Sequence, residues 1–421
     1  MTLINRDAKT IWHPYTQHFM ARPPLPIVRG EGASLYDEEG NRYIDAVSSW
    51  WVTLHGHSQP YIVERVAAQL KKLDQVIFAG FTHEPAIALA ESLLAILPDQ
   101  QQKVFYTDNG STAVEVALKM CVQYWFNKGQ PRKKVLAFHN GYHGDTFGAM
   151  SVSGRSAWTS PFDNFLFEVV FIDTPTTANL SDLKGIISSH AVDLACFIYE
   201  PLVQGSAGML MYEAPALDEL LAHCLQEGVL MIQDEVFTGF GRTGKNFAAD
   251  YLVTKPDVMC FSKGLTGGTM PLGVTTCCMQ IYEAFLSEDK MKTLFHGHSF
   301  TANPLACTAA MASIELLLET EAQENIQRIC SSHREFLQQI KDHHRIAAVR
   351  QTGTIIAIEW KTVSGTSYFS ELRNLLYDYF LDKGILMRPL GNVIYILPPY
   401  CISDADLNRI YSEIRNALEL Y

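Results

Sequence analysis

Short apolar runs alternate with segments of helical spacing through the middle of this chain. The runs are rich in β-branched and aromatic residues and lie at 103–107, 135–138, 169–172, 194–199, 229–233 and 258–261. Strands that are buried on both faces have this continuous apolar character, because helices cover both sides of a parallel sheet. Helical spacing falls between some of these strands, at 111–127, 181–190 and 215–227. The pattern predicts an α/β fold with a mostly parallel sheet.

The two ends of the chain follow other patterns. Residues up to about 26 are rich in aromatics and proline and predict irregular structure, whereas 27–45 predicts short strands around turns. Further helices are predicted at 61–73, 85–97, 303–318 and 322–341. The tail predicts strands and helices in alternation, at 355–360, 371–383, 385–388, 393–397 and 403–418. We therefore expect a large domain at 55–310 and a smaller α+β domain built from 311–421 and joined by 1–54.

Composition narrows the classes of function. The 421 residues are 48% hydrophobic and 19% charged, which suits a large buried core. The net charge of −12 argues against nucleic acid or an anionic membrane as a partner. A secretory signal is not evident and no apolar run reaches the length of a membrane span, so we expect a cytoplasmic protein.

Nine cysteines are scattered along the chain without a CxxC pair. Their odd number and apolar surroundings predict buried free thiols in a reducing compartment rather than disulfides. His143 has no neighbours at the spacing of metal ligands, so no metal site is predicted.

Polar motifs follow several of the predicted strands. After 103–107 come Gly110 and Ser111, where backbone N–H groups at a helix N-terminus suit a phosphate. The alternative is an ordinary turn with a serine cap, and Thr112 with Glu115 predicts a capping box there.

A second set of polar residues follows the next strands. Tyr142 stands between two glycines, where a flat ring could stack on it, although a packed tyrosine in a tight turn has the same pattern. We expect His143 to be a supporting residue. Glu200 ends an apolar strand on the ligand-binding side of an open sheet, or is a solvated strand end.

Asp234 and Lys263 each stand at the end of an apolar strand. This pairing suits pyridoxal phosphate, because the lysine forms an imine with the cofactor while the aspartate faces the pyridine nitrogen. Glu235 is expected to point elsewhere, and Arg242 is a candidate ion-pair partner for either carboxylate. A lone lysine after a strand is usually a surface residue. Here, however, Gly110-Ser111, Gly141–Gly144, Asp234 and Lys263 follow one another along the chain, each at the end of a predicted strand. The combination predicts an enzyme that acts on amines.

With these motifs in place, the chain resembles the class-III, fold-type I aminotransferases almost from end to end. The segments that carry the resemblance are Trp12–Thr16, Ser48–Trp51, Asn140–Gly148, Arg388–Pro389 and Pro398–Tyr400, together with Asp234, Arg242, Lys263 and Tyr395. The resemblance implies a seven-stranded sheet in the large domain. It also implies pyridoxal phosphate as the cofactor and a homodimer with shared active sites.

The resemblance also implies roles for individual residues around the cofactor. Lys263 and Tyr15 would be catalytic. The residues implied to bind the cofactor are Gly110, Ser111, Tyr142, Glu200, Asp234, Lys263, His298 and Ser299, with Ser299 supplied by the partner subunit.

The two segments that contain tryptophan, Trp12–Thr16 and Ser48–Trp51, resemble those of the family members that act in biotin biosynthesis. There, the amino group of S-adenosylmethionine passes to 8-amino-7-oxononanoate in two half-reactions. The implied substrate residues are Trp50, Tyr142, Lys263, Gly297, Arg388 and Tyr395. Arg388 would bind the far carboxylate, and aromatic rings such as Trp51 would face the sulfonium cation, although core packing also explains Trp51.

One segment departs from the family pattern, and it leaves the amine donor open. His298-Ser299 stands where Pro-Thr is usual. Ser299 keeps a hydroxyl for the phosphate, but His298 at the pocket edge leaves lysine possible as the donor. Other readings are a class-III aminotransferase for ω-amino acids or diamines, a non-catalytic pyridoxal-phosphate-binding protein, and an α/β protein without this cofactor.

Overall fold

The computed structural model describes residues 2–363, 366 and 370–421. Its helices, α1 to α13 in chain order, are Leu3–Thr10, Ser48–Trp51, Pro60–Leu70, Glu84–Leu94, Gly110–Asn127, Phe147–Val152, Leu180–His190, Ala214–Gln226, Met279–Glu283, Pro304–Leu318, Thr320–Ile340, Leu372–Asp382 and Asp404–Leu420. Its strands, β1 to β16, are Ile27–Glu31, Ser34–Asp37, Arg42–Asp45, Lys103–Thr107, Lys134–Phe138, Val169–Ile172, Leu194–Tyr199, Val203–Gln204, Leu210–Met211, Leu230–Asp234, Val258–Phe261, Gly273–Cys277, Ile346–Thr352, Ile355–Trp360, Ile385–Leu386 and Val393–Ile396. Short 3-10 helices lie at Ser160–Phe165, Ala248–Tyr251, Lys263–Thr266 and Lys290–Lys292.

The large sheet has seven strands in the order β4-β12-β11-β10-β7-β5-β6. All its strands run in one direction except β12, which is antiparallel to both of its neighbours. This confirms the predicted mostly parallel sheet. The six strands predicted from apolar runs are present, and β12 is the strand that the pattern missed. Its two threonines bond inside the core, Thr275 to the carbonyl of Ala113 and Thr276 to Gln101.

The helix after β4 begins differently from its prediction. Asn109 is the N-cap of α5: its side-chain oxygen accepts the amide of Thr112, and the hydroxyl of Thr112 accepts the amide of Asn109, which makes a capping box. The predicted box of Thr112 with Glu115 is therefore wrong. Glu115 instead accepts hydrogen bonds from the hydroxyl of Thr146 and the amides of Gly148 and Ala149 at the start of α6. Its carboxylate serves the next helix because α6 begins without a side-chain cap of its own.

Besides the two-stranded pair of β8 and β9, two smaller sheets lie outside the large one among the described residues. Strands β1, β2 and β3 are joined by β15 from the tail, with Asp45 of β3 opposite Leu386. The other sheet has the order β13-β14-β16, and β13 is a strand that the sequence pattern did not predict. The N-terminal segment is also not wholly irregular as predicted, because α1 forms there with Thr2 as its cap. The domain boundary at 310 stays a prediction, and it falls inside α10.

All nine cysteines are free, seven of them buried, with Cys278 half-buried and Cys401 exposed. The prediction of free thiols is confirmed, although Cys401 is not buried. Across residues 2–363, 366 and 370–421, no helix combines the length and the apolar character needed to cross a membrane.

Candidate active site

The predicted site residues of the large sheet lie at one edge. Gly110 follows β4, Tyr142 follows β5, Glu200 follows β7, Asp234 ends β10 and Lys263 follows β11. These strands run in the same direction, so the five positions come together at their carboxyl ends. This is the edge at which open α/β sheets bind ligands.

The first turn of α5 forms a close-packed cradle. A Cβ on Gly110 would lie 2.9 Å from a methyl group of Val236. A Cβ on Gly144 would lie 2.1 Å from the hydroxyl of Ser111, and Gly144 has a φ of 134° that favours glycine. The Ser111 hydroxyl accepts the amide of Asp145 at 3.2 Å and keeps its own proton to donate. Among the described residues the amides of Gly110 and Ser111 have no hydrogen-bond acceptor, and together with the Ser111 hydroxyl they suit a phosphate.

Asp234 is held by two donors at the end of β10. Its Oδ2 atom lies 2.7 Å from Nδ1 of His143, and its Oδ1 atom accepts the amide of Val236 at 3.0 Å. Both side chains of the histidine–aspartate pair are buried. His143 is thus a supporting residue, as expected, and its contact is with the carboxylate of Asp234.

Glu200 is a buried carboxylate, not a solvated strand end. It accepts the amide of Tyr142 at 2.9 Å and the amide of Gly205 at 3.1 Å. Burial raises the pKa of Glu200 to about 7, assisted by the charge of Asp234 and opposed by His143 and the two amides. Glu200 therefore ties the loop of Tyr142 to the loop that follows β8.

Lys263 opens a 3-10 helix with a φ of 46°. Its Nζ atom lies 5.0 Å from the ring centre of Trp51 and 5.7 Å from that of Phe237. Burial lowers the pKa of the Lys263 ammonium, while the charges of Asp234 and Glu200 oppose this shift. A strained backbone and a desolvated amine are typical of a functional lysine.

Arg242 does not pair with a carboxylate, so that prediction is wrong. Its guanidinium is buried and donates to backbone carbonyls, to Pro398 at 2.9 Å and to Thr53 at 3.2 Å. Glu235 does point away from Asp234, and it accepts hydrogen bonds from Gln233, Thr238 and Ala249. Arg242 therefore joins the N-terminal segment to the tail beneath the site.

Aromatic residues of the N-terminal segment meet Arg388 beside this edge. The rings of Tyr15 and Trp50 are 5.6 Å apart at 68°, and the guanidinium carbon of Arg388 lies 4.4 Å from the ring centre of Trp50. The hydroxyl of Tyr15 donates to Asp145 at 2.6 Å and lies 3.4 Å from the hydroxyl of Tyr142. Burial, with Tyr15 and Asp145 nearby, raises the pKa of Tyr142. Asp145 lies within the segment Asn140–Gly148, but that segment alone did not predict its contact with Tyr15.

Trp51 and Tyr395 are more deeply buried than Tyr15 and Trp50. Trp51 is buried, and its ring packs on Phe237 at 4.6 Å and on Tyr395 at 5.9 Å. Tyr395 is only 1% exposed, so its side chain contacts the ring of Trp51 rather than the open side of the site. Trp51 thus has the core packing that was one of its two readings, and it also contacts Lys263, which the sequence did not predict. Its facing a sulfonium cation stays a prediction.

The segment with the unusual His298-Ser299 pair lies near the start of α5. Nδ1 of His298 lies 3.5 Å from a carboxylate oxygen of Asp108, and its Nε2 lies 3.0 Å from that of His296. Gly297 and Ser299 are exposed, and the backbone carbonyl of Ser299 accepts a hydrogen bond from Gln75 at 2.8 Å. Among the described residues, neither Gly297 nor Ser299 makes a hydrogen bond to another predicted site residue of its own chain.

The residues at this edge fit pyridoxal phosphate. Within the part of the chain that the structure describes, Nζ of Lys263 makes no hydrogen bond or ion pair, so it is available to a carbonyl compound. The cradle around Gly110 and Ser111 suits the phosphate, and the anchored Asp234 suits the ring nitrogen. A mostly parallel seven-stranded sheet with this set of residues defines a fold-type I pyridoxal-phosphate enzyme.

Comparison with known proteins specifies the family. The model of the class-III aminotransferases matches residues 15–418, and the chain belongs to this family of pyridoxal-phosphate enzymes. The adenosylmethionine-8-amino-7-oxononanoate aminotransferase of Synechococcus elongatus is 46% identical over 97% of this chain and 98% of its own. The crystal structure of the enzyme of that name from Methanocaldococcus jannaschii is 38% identical, with a TM-score of 0.94 and 98% of each chain covered. An omega transaminase from Pseudomonas jessenii in complex with PMP is 26% identical, with a TM-score of 0.93, covering all of this chain and 98% of its own.

Proposed function

We propose that this enzyme transfers the amino group of S-adenosylmethionine to 8-amino-7-oxononanoate, giving 7,8-diaminononanoate for biotin biosynthesis. The observation that carries the proposal is the cluster of Tyr15, Trp50 and Arg388. Within the described residues the guanidinium of Arg388 has no hydrogen bond or ion pair, and it lies over the half-exposed ring of Trp50. An arginine of this kind suits a substrate that ends in a carboxylate. The relatives that carry this activity in their names support the same substrates.

Four sets of groups would hold the cofactor. Lys263 would bond to it through Nζ, and Asp234 would face the pyridine nitrogen. Gly110 and Ser111 would bind the phosphate, and Tyr142 would stack beside the ring. When bound, pyridoxal phosphate supplies a ring that accepts the electron pair left on a substrate carbon that loses a proton.

The chain supplies the proton transfers and the orientation of the substrate. Lys263 would carry the proton from the substrate carbon on Nζ, and burial, which lowers the pKa of this ammonium, favours the neutral amine that accepts a proton. Arg388 binds the far carboxylate of the oxononanoate, while Trp50 and Tyr15 line the apolar chain between the two ends. The same rings face the sulfonium of the donor, a contact that aromatic faces favour.

We also propose that the enzyme is a cytoplasmic homodimer with shared active sites. The N-terminal segment exposes large apolar side chains, with Trp12 at 89%, Phe19 at 95% and Met20 at 82% exposed, and a second copy would bury them. Ser299 and Gly297, exposed in one chain, would then complete the site of the other, with His298 beside the phosphate. The free thiols support a reducing compartment. We keep the division into 1–54, 55–310 and 311–421 as part of this proposal.

The test is transfer between the two named substrates. Purified enzyme is incubated with 8-amino-7-oxononanoate and either S-adenosylmethionine or lysine, and the diamine is measured by mass spectrometry. We expect product with S-adenosylmethionine and none from Lys263→Ala, whereas Lys361→Ala, at an exposed lysine of the tail, keeps full turnover. Product with lysine alone would assign a different donor. Transfer to ω-amino acids or diamines without any to the oxononanoate would overturn the proposal.

A further inference from the structure

The segment that carries the two tryptophans has an unusual backbone. Ser48, Ser49 and Trp51 have φ values of 50°, 61° and 67°, and Ser49 has a ψ of −87°. Residues with side chains rarely adopt these angles, and they persist where the surroundings fix them. The contacts that hold this segment therefore decide where Trp50 lies.

Asp45 supplies most of those contacts. It ends β3 and is fully buried, and its carboxylate accepts the amide of Ser49 at 2.7 and 2.9 Å and the hydroxyl of Ser49 at 3.1 Å. It also accepts the amide of Val47 at 3.2 Å. A buried carboxylate with several donors is a strong anchor, because its charge strengthens each hydrogen bond.

His57 holds the same carboxylate from the other side. Its Nε2 atom lies 2.9 Å from Oδ2 of Asp45. The backbone of His57 is itself fixed by two hydrogen bonds with Gly32, at 2.7 and 3.2 Å. A Cβ on Gly30 would lie 2.8 Å from the Cβ of His57, so the histidine packs directly on β1. Asp45 and His57 thus form a pair that is anchored on the four-stranded sheet.

The same strand also leads to Arg388. Asp45 lies opposite Leu386 in the parallel pairing of β3 with β15, and the amide of Ala46 donates to the carbonyl of Leu386 at 3.1 Å. Arg388 follows Leu386 by two residues. The hydroxyl of Ser48 ties the tryptophan segment to the carbonyl of Leu397 in the tail. The segment that leads to Trp50 begins at Asp45, and the segment that leads to Arg388 begins at Leu386. These two residues are neighbours in the sheet, so contacts at Asp45 affect both segments.

We propose that Asp45 and His57 are a positioning pair that sets Trp50 beneath Arg388 and thereby gives the enzyme its preference for an acceptor ending in a carboxylate. The proposal rests on the function proposed above, in which Arg388 binds that carboxylate. Neither Asp45 nor His57 needs to touch the substrate. The pair acts on specificity through the segment 46–51.

The test compares 8-amino-7-oxononanoate with its methyl ester on the same enzyme preparation. The ratio of the two kcat/KM values measures recognition of the carboxylate, and inactive protein cancels from it. We expect Asp45→Asn to lower this ratio about tenfold, the scale of one hydrogen bond to a charged group. His57→Leu should lower it as well, and His57→Gln, which keeps an N–H donor, should restore most of it. The His57 variants carry the test if Asp45→Asn does not fold.

Asp257→Asn is the matched control. Asp257 lies just before β11, at the opposite end of that strand from Lys263, and its carboxylate accepts the amide of Met231 at 2.8 Å. We expect its ratio to equal that of the wild type. If Asp45→Asn and His57→Leu kept the wild-type ratio of acid to ester, the positioning role of Asp45 and His57 would be overturned. The role of Arg388 would stand. A wild-type enzyme without any preference for the acid would overturn the role of Arg388 and the pair with it.

Discussion

Nδ1 of His143 lies 2.7 Å from Oδ2 of Asp234, and the histidine faces the protein interior rather than the open side of the site. Within the described residues its Nε2 atom is buried without a partner. The imidazole therefore has one strong contact, and that contact orients the carboxylate of Asp234. In the function proposed above, where Asp234 faces the pyridine nitrogen, His143 would act on the cofactor through Asp234.

Replacing His143 should weaken cofactor binding. We expect His143→Leu to raise the dissociation constant of pyridoxal phosphate by about tenfold or more, because Asp234 loses a hydrogen bond to a charged group. His143→Asn keeps an N–H donor near the position of Nδ1 and should lie closer to the wild type. Titration of the apoenzyme with the cofactor, followed by visible absorption, measures both. Equal constants for the wild type and His143→Leu would contradict this role.

Arg388→Lys tests the geometry of carboxylate binding rather than its charge. Lysine keeps the charge but loses the planar fork that matches a carboxylate. We expect the KM for 8-amino-7-oxononanoate to rise about tenfold or more, with little change for its methyl ester. Arg29→Lys is the matched control, because Arg29 stacks on Tyr36 at 3.7 Å outside the site. A uniform loss for acid and ester would point to general damage instead.

Continuous apolar strands made much of the large sheet predictable. All six residues of Leu194–Tyr199 are buried, and a run of this kind has few other placements. The strand Gly273–Cys277 is equally buried but contains glycine and two threonines, whose hydroxyls bond to distant partners in the core. Its role depends on contacts that local sequence does not encode.

The same distinction holds for the candidate site. Lys263, Asp234 and Gly110 could be placed because strand ends of a parallel sheet meet at one edge. The partners of Arg242 and Glu115 could not, because each bonds to residues far away in sequence, on elements whose approach is set by packing. Residue type suggested an ion pair for Arg242 and a cap for Glu115, and tertiary structure assigned other partners.

Gly144→Ala should disturb the cradle and the backbone together. The new methyl group would lie 2.1 Å from the hydroxyl of Ser111, at a φ of 134°. We expect a stability loss of about 1–3 kcal/mol from the backbone alone, and weaker binding of pyridoxal phosphate from the displaced serine. Differential scanning fluorimetry and cofactor titration measure the two effects.

Gly129→Ala separates backbone strain from the clash. Gly129 also has a left-handed φ, of 72°, but a Cβ there would meet nothing within 4 Å. This variant should lose stability and keep wild-type affinity for the cofactor. If Gly144→Ala also kept wild-type affinity for the cofactor, the position of the Ser111 hydroxyl would not depend on a glycine at 144, contrary to the 2.1 Å distance.

Glu235→Gln should reduce the loss of folding stability that the enzyme suffers as pH rises. Burial raises the pKa of Glu235 from its ordinary 4.5 to about 7, against the hydrogen bonds from Thr238, Ala249 and Gln233. A carboxyl with a raised pKa in the folded state contributes stability that is complete below about pH 4.5 and is lost as pH rises through about 7. The wild type should therefore lose about 3 kcal/mol relative to the neutral variant across this window. Glu200 titrates in the same window but is present in both proteins, so it cancels from the difference.

Unfolding midpoints of the wild type and Glu235→Gln, measured from about pH 3 to pH 8 at fixed protein and cofactor concentrations, test the sign. Glu359→Gln supplies the opposite case. Burial raises the pKa of Glu359, but the hydrogen bonds from Thr366 and Arg350 outweigh it and the net pKa is lowered. This carboxylate contributes stability at neutral pH that is lost on acidification. Glu359→Gln should therefore be less stable than the wild type at neutral pH and approach it in acid, whereas Glu235→Gln should gain on the wild type as pH rises. Parallel pH profiles for the two variants would contradict both assignments.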